Sequence, residues 1–491
     1  MGAEEVRRRA VLAACGLVLA AAAGAQDASP PSGTAALNLE TFDFAWRRIA
    51  DSFWDFGAAG VDWEAVRDES RPRARDAADA AELRRVLQVM LSRLGQSHFG
   101  VLPGPGSLRS ASDEDGADGA GACTAALMRS VSRDGGSSGA DAGPGFDVRF
   151  IDSTPVVSRV EAGSPADRLG LTTGLEVVRV GEQNLAALAR CLGLDALDAR
   201  VVETLRSRVV EGLLYGDAGD SVTVEFADVA GDRSTLELER AHHPDAVEIG
   251  FGNLPPMRYL FKSEMLETAA GRVLAVRFNV WMLPVVDAFE AALYDEPAEG
   301  SPEVDGVLID LRGNPGGVAG TAVGVAGFLL EEEAALGRMK NRNTDLNLLV
   351  FPRRVSTTSN LKIETFRGPV AVLIDGGSAS TSEIFAAGLK DHGRVRLFGE
   401  PSAAAALPSV IEEMPNGDLL MHAIADFIRP SGERIEGRPV QPESPVALTR
   451  EGLLAGRDEP REEALRWIVA ELRDGNRTWR NDPLAAESVP D

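Results

Sequence analysis

Residues 369–399 read PVAVLIDGGSASTSEIFAAGLKDHGRVRLFG. The apolar run 369–374, closed by Asp375-Gly376-Gly377, predicts a buried strand that ends in a tight turn. Five small residues follow: Ser378, Ala379, Ser380, Thr381 and Ser382. Residues 383–392, with Ile384, Phe385 and Leu389 among alanines, predict a helix that Gly393 stops. A second apolar run, 395–398, predicts the next strand. Strand, turn and helix in that order set a small polar side chain at a helix N-terminus, where unpaired backbone N–H groups and the helix dipole favour negative charge. A serine there is placed to act as a nucleophile whose reaction develops an oxyanion. The same serines would equally serve as helix caps.

The chain has 491 residues, a length that suggests about three domains. Its hydrophobic content of 44% is enough for sizeable cores. The formal net charge of -25 disfavours nucleic acid or an anionic membrane surface as partner. Residues 1–25 have the form of an export signal: Arg7-Arg8-Arg9, an apolar stretch 10–23, and Ala23-Gly24-Ala25 before Gln26. The expected location is therefore periplasmic or extracellular. Leu12-Ala13-Ala14-Cys15 resembles a lipoprotein box, but most of the apolar stretch follows Cys15, so a lipid-anchored form ranks lower. No later stretch is long enough to span a membrane as a helix. Beyond the leader the cysteines are Cys123 and Cys191, for which a disulfide and two separate thiols both stay open. There is no CxxC, no HExxH and no Gly-rich phosphate loop followed by Lys, and the histidines number five. No metal and no organic cofactor are implied.

Residues 26–38 are rich in Ser, Pro, Gly and Ala and predict a flexible lead. The pattern over 39–94 is helical. Phe42, Phe44, Ala45, Ile49, Phe53 and Trp54 mark one amphipathic helix, and Leu83, Val86, Leu87, Met90, Leu91 and Leu94 another. Ser97-His98 follows at once, in a loop running into a strand. Residues 103–143 are mostly Gly, Ser, Ala, Asp and Pro and read as a linker. Short strands 146–148, 156–160 and 175–180 follow, with Ala162-Gly163-Ser164-Pro165-Ala166 to Gly170-Leu171 between the last two. This unit resembles a PDZ domain, with a helical insertion over 185–214 before the strand 221–226. The resemblance implies capture of a peptide C-terminus by strand addition, with Gly145 and Phe146 in the carboxylate loop. From 248 onward strands (273–278, 304–311) alternate with helices (285–293, 321–330), the pattern of an α/β core. The second strand runs into Asp310-Leu311-Arg312-Gly313-Asn314-Pro315-Gly316-Gly317, a turn that lets backbone approach a ligand closely.

That run, together with Gly377-Ser378-Ala379-Ser380-Thr381-Ser382-Glu383, resembles the tail-specific (C-terminal processing) and tricorn-type serine peptidases over residues 40–475. The resemblance implies a crotonase/ClpP-like α/β core with Ser380 as nucleophile. It implies an oxyanion hole from the N–H of Thr381 and of Gly316 or Gly317. Tail-specific members activate their serine with a lysine, but Ala405 stands at that place. Lys390 lies ten residues along the predicted helix, about 15 Å away. Tricorn-type members use Ser-His before the PDZ and a Glu late in the core, matched here by Ser97-His98 and Glu436. Pro439 and Glu443 depart from the family form around that Glu. Chemistry supports the same roles: histidine takes the serine proton and returns it to the leaving amine, and a carboxylate, directly or through Ser97, orients the imidazole.

The sequence thus leads to an exported serine endopeptidase acting on unfolded or C-terminally exposed polypeptides, with His98 as general base, Glu436 and Ser97 as its relay and Ser380 as nucleophile. The expected order is signal (1–25), N-terminal helical segment (26–102), linker (103–143), PDZ (144–242), peptidase core (243–475) and tail (476–491). The rival readings are a peptide-binding protein on a dead peptidase scaffold and a hydrolase of another acyl bond.

Overall fold

A computed structural model describes residues 32–102, 142–185, 199–251, 254–294, 304–353, 355–356, 362–363 and 365–474. The export signal, Cys15, nearly all of the linker, Cys123, Cys191 and the tail 476–491 lie outside the described residues. The chain forms two compact units. The first comprises Met1–Arg258, Leu407–Ala425 and Arg450–Gly456, and the second Tyr259–Ala406, Asp426–Thr449 and Arg457–Asp491. The linear order of expected domains therefore differs from the spatial grouping: residues 243–258, 407–425 and 450–456 join the N-terminal unit.

In the first unit the helices Ser32–Ser52, Trp63–Asp76 and Ala80–Ser92 surround a core that includes Phe42, Ile49, Phe53, Leu87 and Met90. Helix Ser32–Ser52 begins inside the stretch expected to be a flexible lead, and Asn38 and Thr41 are already buried on it. Helix Trp63–Asp76 lies within the stretch read as helical but is not marked there as a separate helix, because Pro72 and dense charge hide its apolar face. Asp62 caps it by accepting from Ala65 N–H at 3.0 Å, and only Trp63, Val66, Ser70 and Ala74 are buried on it. Asp79 caps the next helix in the same way, accepting from Glu82 N–H at 2.7 Å. Trp46 and Trp63 each give the indole N–H to the other's carbonyl, at 3.0 and 3.1 Å. Directly after the last of these helices, strand Gly100–Leu102 pairs antiparallel with Leu419–Ala423, which pairs in turn with Ser409–Glu413.

The same unit holds a five-stranded antiparallel sheet in the order Phe146–Ile151, Thr154–Val160, Glu176–Val180, Ser221–Ala227, Arg233–Glu239. Helix Ala199–Leu214 buries Val209, Val210 and Leu214 with Phe146, Val148, Val177 and Phe226. The short helix Pro165–Arg168 is capped by Ser164, which accepts from Asp167 N–H at 3.1 Å.

The second unit is a mixed six-stranded sheet in the order Phe261–Thr268, Gly271–Phe278, Gly306–Asp310, Val370–Ile374, Arg396–Gly399, Ser444–Pro445. Its first pair is antiparallel and the rest are parallel. Strand Val370–Ile374 is buried at every position, as expected of a parallel strand covered on both faces. Helix Glu459–Arg473 covers one face, packing Ala464 and Ile468 on Leu308, Ala371 and Leu373. Helices Pro284–Tyr294, Ala319–Ala326 and Thr381–Asp391 pack in series. The second of these stops four residues short of the expected 330. A three-stranded sheet of Asp345–Val350, Ala334–Lys340 and Asp426–Ile428 lies against helix Thr381–Asp391. Gly388 permits that packing, since a Cβ there would fall 2.8 Å from the Leu336 Cα. Among the described residues no helix is long and apolar enough to cross a membrane.

Candidate active site

Two loops leave the C-terminal ends of adjacent parallel strands, the usual place for a site in an open α/β sheet. One is 311–317, after Gly306–Asp310; the other is 375–380, after Val370–Ile374. Asp375 ties them together. Its Oδ1 accepts from Gly313 N–H at 2.8 Å and Gly377 N–H at 2.9 Å. Ser378, wholly buried, gives its hydroxyl to Leu311 O at 2.8 Å. Asn314 makes a second tie: its carbonyl accepts from Ala379 N–H at 3.0 Å, and its Oδ1 accepts from the Ser382 hydroxyl at 3.1 Å. The Trp281 indole N–H adds a bond to Ser382 Oγ at 2.9 Å. The serines around Ser380 are thus committed to holding the two loops.

Ser380 stands at the N-cap of helix Thr381–Asp391 with φ 54 and ψ −117, a conformation that L-residues rarely adopt. Its N–H donates to Ala405 O at 2.7 Å and to Glu383 Oε2 at 3.1 Å. The 311–317 loop approaches it closely, since a Cβ on Gly316 would fall 2.6 Å from the Ser380 Cβ and 3.0 Å from Thr381 N. Thr381 gives its hydroxyl to Gly317 O at 2.8 Å. The N–H of Gly316 is already given to Asn314 Oδ1 at 2.9 Å. The N–H groups of Thr381 and Gly317 donate to no described residue. Of the two glycines left open by the sequence, Gly317 is therefore the one with an unused donor.

The 402–406 loop brings three further groups to this place. Position 405, where the sequence lacks a lysine, has its carbonyl on Ser380 N–H. Ala406 N–H donates to Glu436 Oε2 at 3.2 Å, and Gly437 N–H donates to Ala404 O at 2.9 Å. Glu436 is buried, so it is not a solvated loop carboxylate. Lys390 is committed elsewhere, with Nζ donating to Gln441 O at 2.7 Å. Sequence reasoning gave no role to Glu383, which is fully buried and gathers donors from both Ser380 and this loop. Its place three residues after Ser380, as in a capping box, was the available signal. Burial pushes its pKa up to about 7, against the hydrogen bonds it accepts.

Arg312, inside the Gly-rich motif, has a structural task. It donates to both carboxylate oxygens of Asp310 (2.9 and 2.8 Å) and of Asp458 (2.8 and 2.7 Å). Asp458 also caps helix Glu459–Arg473. Burial works against the Asp310 charge, but Arg312 and Arg277 overcome it and hold the carboxyl well below the usual range.

Ser97 and His98 belong to the first unit. Ser97 Oγ lies 2.7 Å from His98 Nδ1, and His98 has φ 60 after the helix-ending Gly95. Burial pulls the His98 pKa down to about 4, which keeps the ring neutral, as a proton acceptor must be. Gly145 and Phe146 are also in this unit, at the start of the outer strand of the five-stranded sheet. Gly145 (φ 84) leaves no room for a Cβ, which would fall 2.1 Å from the Ser164 Cβ. Its carbonyl accepts from Glu161 N–H at 2.9 Å. Phe146 is buried edge-on against Phe226. His422, outside any motif, is a buried packing residue beside Ser52 Oγ at 3.2 Å. No group of metal-ligating side chains occurs among the described residues.

This arrangement can be set beside known proteins. The pattern of Peptidase family S41 matches residues 286–446, and that of the Tricorn protease C1 domain matches residues 36–92. The chain is 26% identical over 302 residues to carboxyl-terminal-processing peptidase 3, chloroplastic, of Arabidopsis thaliana, covering 60% of this chain and 52% of that one. It is 26% identical over 145 residues to a probable CtpA-like serine protease of Staphylococcus haemolyticus, covering 29% of this chain and 28% of that one. The matches thus span about half or less of these curated relatives. Among solved structures, the photosystem II D1 C-terminal processing protease shares the fold with a TM-score of 0.51 and 20% identity, covering 84% of this chain and 94% of that one. Mature CPAF does so with a TM-score of 0.55 and 13% identity, covering 91% and 100%. Residues 286–446 match peptidase family S41, and part of the chain is similar to the carboxyl-terminal-processing peptidases.

Proposed function

We propose that this chain is an exported serine endopeptidase that cleaves unfolded polypeptides or exposed C-terminal tails. The observation that carries the reading is the strained Ser380 at a helix N-terminus, flanked by the unused N–H groups of Thr381 and Gly317. In the proposed reaction Ser380 Oγ attacks the scissile carbonyl. The developing oxyanion is received by Thr381 and Gly317 N–H. His98 takes the serine proton and returns it to the leaving amine, which breaks the C–N bond. Water, activated by the same imidazole, then releases the acyl group and restores the serine. Ser97, on His98 Nδ1, and Glu436 orient the ring and stabilise its charged form. No lysine takes part, which fits Ala405 at the lysine position and Lys390 bound at Gln441.

The five-stranded unit serves as a PDZ domain that delivers C-terminal tails, with the peptide added beside strand Phe146–Ile151 and its carboxylate received near Gly145. The core is read as crotonase/ClpP-like, and export rests on the leader sequence. The test is turnover of an unstructured peptide with a free C-terminus by the mature protein, beside Ser380→Ala and the same peptide amidated at its C-terminus. The reading expects no turnover with Ser380→Ala and a higher KM for the amide. Ester hydrolysis without peptide hydrolysis would replace this reading with that of another acyl hydrolase.

A further inference from the structure

The buried carboxylate of Glu383 has no part in the reaction just described, yet four donors converge on it. Ser380 N–H reaches Oε2 at 3.1 Å, Ala405 N–H reaches Oε2 at 2.8 Å, and Ala404 N–H reaches Oε1 at 2.8 Å. The Ser402 hydroxyl supplies the fourth bond, to Oε1. Two of these residues, Ser380 (φ 54) and Ala404 (φ 64), are non-glycine residues with positive φ. Such conformations persist only where surrounding bonds over-determine them. Ser402 Oγ also accepts from Val440 N–H at 2.8 Å, and Ala406, next in the same loop, donates to Glu436. A single buried group therefore connects the backbone of Ser380 with the loop that holds Glu436.

We propose that Glu383 is a positioning residue for the peptidase reaction: it holds the Ser380 backbone and the 402–406 loop in one arrangement and so sets where Ser380 Oγ and Glu436 stand. The proposal rests on the reading of Ser380 as nucleophile. It has a consequence that ordinary packing lacks. Four donors are satisfied together only by an ionised carboxylate, which accepts and does not donate. A protonated Glu383 makes one oxygen a donor: on Oε2 it faces two backbone N–H groups, and on Oε1 it displaces the bond given by the Ser402 hydroxyl, so one of the four donors loses its acceptor and the loop is held less firmly. The groups facing it are neutral. Helix Ala319–Ala326 carries no titratable side chain; the other elements packed on the nucleophile helix bring Arg338, Lys340 and Arg396, and the helix itself Lys390 and Asp391. Glu436 is linked through Ala406. The leading causes that shift Glu383 are burial and its four neutral donors. With its pKa up to about 7 and that of His98 down to about 4, activity falls as pH drops through 7 while the imidazole is still neutral.

The experiment measures kcat and KM for an unstructured peptide from pH 4 to 9, with the full mature chain, Glu383→Gln, Ser402→Ala and Ser380→Ala. Glu383→Gln is expected to lose about 100-fold in kcat with KM within about 3-fold, as for a misplacement of reacting groups. Its acid limb should move from near 7 towards 4. Ser402→Ala should lose about 10-fold and move the limb above 7, because the hydroxyl bond that favours the ionised carboxylate is gone. Wild-type kcat in Glu383→Gln, or a limb near 7 that survives the substitution, overturns the proposal. If Glu383→Gln does not fold, wild-type kcat in Ser402→Ala overturns it. Turnover by Ser380→Ala is a separate result: it refutes the nucleophile itself, whatever Glu383 does.

Discussion

Gly316→Ala perturbs the place where the two loops meet. The added Cβ would fall 2.6 Å from the Ser380 Cβ, 3.0 Å from Ala379 O and 3.0 Å from Thr381 N. Carbon atoms in contact settle at about 3.5–4.0 Å, so either loop must retreat by about 1 Å. A displacement of that size between reacting groups costs about 100-fold in rate, or about 2.7 kcal/mol of transition-state stabilisation. The backbone at 316, with φ 103, adds a folding penalty on the order of 1–3 kcal/mol that is independent of the collision. The two effects separate against Gly432→Ala, where φ is 91 but nothing lies within 4 Å of the new Cβ. The assay is the second-order rate of fluorophosphonate labelling, with urea denaturation in parallel. Both variants should lose stability, and Gly316→Ala alone should lose about 100-fold in labelling. Equal labelling of the two variants would refute the claim that the 311–317 loop is packed on Ser380.

Three further outcomes follow from other parts of the molecule. Arg312→Met leaves the partly buried Asp310 without its main partner and also breaks the tie to Asp458, so denaturation should show a loss of about 3 kcal/mol. The folded pKa of His98 lies below its unfolded value near 6.5, so the unfolded chain binds more protons between the two values; stability at this group is full above 6.5 and falls as pH drops towards 4. Unfolding midpoints of His98→Gln should accordingly decline less than those of wild type from pH 6.5 to 4. Gly145→Ala drives a Cβ against the Ser164 side chain at a backbone with φ 84, and should abolish binding of C-terminal tail peptides in fluorescence anisotropy while Ser380 still labels.

What the sequence could show divides by range. The strand, turn and helix around Ser380 are local, and their bounds, Val370–Ile374 and Thr381–Asp391, lie within two residues of the expected ones. Glycines and small residues spell out the turns because only they tolerate the φ values or the close approaches involved. Helix Trp63–Asp76 falls in the stretch read as helical, but it was not singled out because its buried face is four residues wide and interrupted by charge. The task of Arg312 was hidden because its partner Asp458 is distant in sequence. The four bonds to Glu383 include three from residues 402–405, on a separate strand connection. That the Gly316 N–H is already given to Asn314 Oδ1 is a side-chain contact which no sequence pattern reports.

The central claim is that Ser380 is an activated nucleophile served by His98. Fluorophosphonate labelling of the mature protein, with the adduct mapped by peptide analysis and repeated on Ser380→Ala and His98→Ala, tests it most directly. The account predicts one adduct, on Ser380, absent in both variants. An adduct on another residue, or full labelling of His98→Ala, would contradict it.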